Sequence, residues 1–193
     1  SNGPVALDYA SGAAMLVKRE VFERIGLLRE DYFMYYDDLE FCWRARLAGC
    51  NVGLAEQSIC HHRYDVRNIL GLLYYVQRNR LLTLLTLEKR RTLALTLPCL
   101  LVAEVILGVY FLTRGWGATQ WKLLRYFATP DTWQAIAARR REVSRLRTRR
   151  DAEIVKGFTG GVVFTELTNP ILRYLFNPLL EMYWSLIRRF IVW

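Results

Sequence analysis

Residues 12–62 read GAAMLVKREVFERIGLLREDYFMYYDDLEFCWRARLAGCNVGLAEQSICHH, and this stretch says most about the fold. Gly12 to Arg19 is a short apolar run closing on basic residues, the pattern of a buried strand. Lys18 to Gly26 then reads as a short helix, with Val21, Phe22 and Ile25 on one face and Gly26 as its stop. A loop rich in Tyr and Phe follows, from Asp31 to Tyr36. Asp37 and Asp38 open a second helix running to Ala48, in which Phe41, Ala45 and Ala48 share a face and Gly49 ends it. Asn51 to His62 suggests two short extended pieces.

The chemistry that this segment can carry sits at Asp37-Asp38, a pair of carboxylates at a helix N-terminus beside the small residues Gly12 and Ala13. Helix dipole and free backbone N–H groups keep such carboxylates ionised. An ionised carboxylate acts as a general base where a substrate hydroxyl comes within hydrogen-bond reach. Taken by itself, the pair is better explained by ordinary N-capping. His61 and His62, as neighbours on an extended piece, would point to opposite faces. The aromatic loop would serve as plain core.

Outward from this segment the composition changes. Residues 64–91 read as a long apolar helix interrupted by Gln77, Arg78, Asn79 and Arg80. Thr92 to Thr113 is long enough to span a bilayer, but Pro98, Gly108 and especially Glu104 weigh against a simple span. Lys89, Arg90 and Arg91 precede it and seven arginines lie between Arg139 and Arg150. Two basic flanks both look cytoplasmic, which one crossing does not satisfy. The expectation is a re-entrant or interfacial element, with a true span as its competitor. A final helix from Pro178 carries Glu181, Ser185, Arg188 and Arg189 on one narrow stripe; it suits the headgroup region or docking on other helices.

The whole chain of 193 residues has a net charge of +9 and is 53% hydrophobic, which fits an anionic membrane surface. The arginine block would also accept nucleic acid, but it is confined to one stretch beside apolar segments and no recognition module accompanies it. Cys42, Cys50, Cys60 and Cys99 show no CxxC spacing, so the reading is reduced thiols and no structural zinc.

The order of these elements resembles the second half of the catalytic domain of inverting GT-A-fold glycosyltransferases, the rhamnosyltransferase-like members of the nucleotide-diphospho-sugar family. Arg19, Phe22 and Gly26 match its R-x-x-F-x-x-x-G helix. Asp37-Asp38-Leu39-Glu40-x-x-x-Arg44 matches its acidic pair and following acid, with Asp37 and Glu40 as conservative departures. Tyr75-x-x-Arg78-Asn79 is similar to a pattern on the helix behind the site. The resemblance implies Asp38 as catalytic base, Gly12, Ala13, Asp37 and Arg44 near acceptor and diphosphate, and His61 near a metal, Mg²⁺ or Mn²⁺, that acts as Lewis acid.

The implied fold class is α/β, the second half of a Rossmann-like GT-A domain followed by a mainly helical membrane-associated region. By composition the divisions are 1–91 for the acceptor-side half, 92–127 for the apolar segment and 128–193 for a basic linker and amphipathic helical tail. The implied reaction moves a sugar, with inversion, from a nucleotide-diphospho-sugar to a lipid-linked or polysaccharide acceptor. Its expected place is the cytoplasmic face of a bacterial inner membrane, in cell-envelope glycan synthesis. No Asp-x-Asp occurs in the chain, so the donor-binding half is expected to be missing and the chain inactive alone. The alternative is a non-catalytic membrane-anchoring or partner-binding module derived from such an enzyme.

Overall fold

The computed structural model describes residues 5–63, 69–161 and 172–193. By their contacts they fall into two compact units, residues 1–87 with 118–149, and residues 88–117 with 150–193.

The first unit holds the acidic pair. Its strand β1 (Val5–Leu7) pairs antiparallel with β2 (Val52–Leu54) in a two-stranded sheet. Helix α1 (Arg19–Ile25) ends at Gly26, whose φ of +79° suits glycine. Helix α2 (Asp37–Leu47) ends the same way, with Gly49 at φ +90°. Both helices form where their apolar spacing places them, and they close a small core of Ile25, Phe41, Cys42, Ala45 and Ala48. Beyond them come α3 (Ile69–Leu87), α5 (Gly117–Ala128) and α6 (Pro130–Leu146). The expected start of α3 at 64–68 lies outside the described residues.

The strand expected at Gly12–Arg19 does not form. Ser11 accepts the Ala13 N–H through its hydroxyl and starts a single turn over Gly12–Ala14, and Leu16 is fully exposed. The preceding residues run extended along α2 instead. Asp8 pairs with Arg46 at 2.8 Å, the Ala10 N–H reaches the Cys42 sulfur at 3.4 Å, and the Gly12 N–H reaches Asp38 at 2.8 Å. Two extended residues rise about 6.6 Å and one helical turn of four residues about 6 Å, so the two register with each other. That match delivers Gly12 to the start of α2.

Arg44 and Glu40 form the polar centre of this unit. Both are buried, and Arg44 Nε donates to Glu40 at 3.0 Å. The Arg44 guanidinium also donates to the carbonyls of Ile25 and Leu27, just where α1 ends. The arginine block on α6 is similarly engaged. Arg140 and Arg147 donate to the carbonyls of Leu85 and Leu87 at the end of α3, and Arg139 pairs with Asp31. Cations there satisfy carbonyls that the helix itself leaves unpaired.

The second unit contains α4 (Arg90–Thr113), the short α7 (Asp151–Ile154) and α8 (Asn177–Ile187). Helix α4 continues through Pro98, and it is long and apolar enough to cross a membrane by length and composition. Buried Asp151 caps its start, accepting the Lys89 N–H at 2.8 Å and the Thr92 hydroxyl. Helix α8 docks on α4: the Tyr183 hydroxyl donates to the Leu95 carbonyl at 2.7 Å, and Val155, Trp184, Ile187 and Ile191 form the local core.

Removing one partner of a buried ion pair leaves the other charge uncompensated, at a cost of about 3–5 kcal/mol. Glu40→Gln is therefore expected to lower the stability of the first unit by roughly that amount. Glu23→Gln, which breaks the exposed Arg19–Glu23 pair, should cost about 0–1 kcal/mol. Denaturant unfolding of the two variants checks the difference.

Candidate functional site

Asp38 lies in the first turn of α2 and both of its carboxylate oxygens are held by backbone. Oδ2 accepts the Gly12 N–H at 2.8 Å and Oδ1 accepts the Leu39 N–H at 2.8 Å. The side chain is half-buried. One carboxylate thus joins the 8–12 segment to the helix start.

The chain reaches this point through an unusual backbone. Phe33, Tyr35 and Tyr36 have φ of 62°, 64° and 64°, left-handed values that are costly for aromatic residues. Tyr36 is the residue from which α2 starts, and its carbonyl accepts the Glu40 N–H. Helix α3 clamps the loop from behind. The buried Asn79 amide lies 2.8, 3.0 and 2.8 Å from the carbonyls of Tyr32, Met34 and Tyr35. Arg78 Nε donates to the Asn79 carbonyl oxygen at 3.0 Å, and its guanidinium donates to the Asp31 carbonyl. The same guanidinium stacks on the rings of Tyr74, Tyr75 and Tyr126. Phe33, exposed, leans on Tyr75 with ring centres 5.0 Å apart.

Tyr32 anchors the front of the loop. It is fully buried and its hydroxyl bonds to Thr83 at 3.1 Å. Burial and the nearby Glu40 charge push its phenol well above the ordinary range, so it stays protonated. Burial likewise raises the Cys42 thiol; at neutral pH that sulfur is a packed, protonated group.

The expected site residues divide accordingly. Gly12, Ala13, Asp37 and Asp38 gather at the start of α2. Arg44 is one to two turns further along and is committed to Glu40 and to the end of α1. His61 is exposed in a stretch without regular structure. Among the described residues no three His, Cys, Asp or Glu side chains come together to hold a metal ion. Asn79 is the residue whose importance the sequence understated. Its signal was an Arg-Asn pair interrupting an otherwise apolar helix.

A comparison with curated proteins gives one informative likeness. Over 60 residues the chain is 49% identical to the low-salt glycan biosynthesis hexosyltransferase Agl10 of Haloferax volcanii, a match covering 31% of this chain and 20% of that protein. The matched stretch thus spans about a fifth of that relative's length. No family model matches the chain. No solved structure matches it.

A Cβ at Gly12 would meet Asp38 at an ordinary 3.5 Å, so Gly12→Ala should leave stability nearly unchanged. Gly12 opens a helical turn and Ser11 before it is extended, so the backbone accepts proline there. Gly12→Pro nevertheless removes the N–H that binds Asp38. Thermal unfolding should show a loss of about 1–2 kcal/mol for the proline variant alone.

Proposed function

We propose that this chain is part of a glycosyltransferase, and that Asp38 is the base that activates the acceptor. The observation that carries the proposal is the 49% identity over 60 residues to a glycan biosynthesis hexosyltransferase. The geometry of Asp38 supports it. A carboxylate fixed by two backbone N–H groups, at the mouth of a strained aromatic loop, is a preorganised proton acceptor.

The reaction is a single displacement. The acceptor hydroxyl loses its proton to Asp38 while its oxygen forms a bond to the anomeric carbon. The bond from that carbon to the nucleoside diphosphate breaks, and configuration inverts. The donor is a nucleotide-diphospho-sugar and the acceptor a lipid-linked or polysaccharide glycan, a reading supported by the long apolar helix α4 of the second unit. The proposed architecture is the acceptor-side half of an α/β GT-A domain, in which α2 carries the base and α3 supports it. Asp37 and exposed Ala13 would border the acceptor. Arg44 contributes by holding α2 on α1, without touching substrate.

Replacing Asp38 by Asn keeps an oxygen for a backbone N–H but removes the base. In the natural full-length protein Asp38→Asn should lower kcat by about 10²–10⁴-fold, with donor KM little changed and stability lowered by about 1–2 kcal/mol, as for Gly12→Pro, because the amide nitrogen does not accept the second N–H. A variant with near-normal turnover would assign the Asp38–Gly12 contact to structure alone, the reading of a non-catalytic module.

A further inference from the structure

Helix α4 is 24 residues long, about 36 Å at 1.5 Å per residue, enough to cross a bilayer. A single crossing would place residues 1–87 and residues 118–149 on opposite faces. Those two segments instead build one compact unit. Within it α6 packs on α3, Arg140 donates to the Leu85 carbonyl, and the Lys122 ammonium sits 4.1 Å from the centre of the Tyr74 ring. Its interior carries Gln77, Arg78, Asn79 and Thr83, side chains costly in a lipid-embedded body. Both ends of α4 must then emerge on the same side.

The surface of the second unit is suited to one leaflet. Along α4, Leu97, Leu101, Val105, Val109 and Leu112 are exposed at helical spacing. Along α8, the exposed series is Leu179, Met182, Leu186 and Phe190, while Leu180, Trp184 and Ile187 are spent on the core. The two helices run antiparallel where they meet, because Tyr183 bonds near Leu95 while Trp193 Nε1 reaches the Thr92 hydroxyl at 2.8 Å. That contact brings the end of α8 to the start of α4, so exposed Arg188 and Arg189 join exposed Arg90 and Arg91 at one end, with Arg91 over the Trp193 ring. Cations and an indole bordering exposed aliphatic stripes match anionic headgroups above acyl chains.

We propose that α4 and α8 form a monotopic docking surface for one leaflet of an anionic bilayer, with α4 entering and leaving on the same side. This is independent of the transferase reading, since Asp38 lies in the other unit.

Two measurements on the whole chain test it. In sealed inverted membrane vesicles from expressing cells, native Cys60 and, in a Cys60→Ser background, Ser144→Cys flank α4 in sequence. An impermeant maleimide should label both in inverted vesicles and neither in intact spheroplasts. Labelling of the two from opposite faces would overturn the proposal. With purified protein, binding to phosphatidylglycerol-containing vesicles should weaken roughly tenfold or more in the Arg188→Gln/Arg189→Gln variant, while Asp38→Asn binds as the parent does. Binding indifferent to phosphatidylglycerol and to these arginines would also overturn it, as would a lipid-free dimer that covers the stripes and does not bind vesicles.

Discussion

The first unit depends on the clamp that Asn79 places on three carbonyls of the aromatic loop. Left-handed backbone at Phe33, Tyr35 and Tyr36 costs on the order of 1–3 kcal/mol per residue. It persists because α3 supplies buried donors where the loop turns its carbonyls inward. Glu40 and Arg44 fix the other end by holding α2 to α1. Between the two restraints the start of α2 has little freedom, and Asp38 inherits that rigidity. A base held this way needs no reorganisation when a proton arrives.

Helices were the legible part of this chain. Val21, Phe22, Ile25 and Gly26 define α1, and Phe41, Ala45, Ala48 and Gly49 define α2, because period and stop signals are local. The sheet was less legible. Val5–Leu7 pairs with Val52–Leu54 across more than forty residues, whereas the more apolar Gly12–Val17 is diverted by a serine-capped turn. For the site, Asp38 and Gly12 were readable as residues, but their contact was not, since it depends on the matched rise of an extended segment and a helix. The contacts of Arg44 were hidden for a similar reason. Its partner in space is the end of α1, which spacing along α2 does not reveal.

The arginines show how one composition can serve two ends. Along and just after α6, Arg139, Arg140 and Arg147 are used internally, on Asp31 and on the last carbonyls of α3. At the junction of α4 and α8, Arg90, Arg91, Arg188 and Arg189 stay exposed. Net charge alone does not separate these roles. The distinction comes from which carbonyls each helix end leaves unpaired and from which faces remain apolar.

The central claim is that the clamp from α3 sets the position of the base. Steady-state transfer by the natural full-length protein carrying Asn79→Ala, assayed below its melting temperature with its folded fraction verified, tests it most directly. The account predicts a kcat loss of about tenfold or more with donor KM little changed, because a displaced base loses reach to the acceptor proton. A variant that melts earlier yet turns over at the parental rate while folded would contradict it.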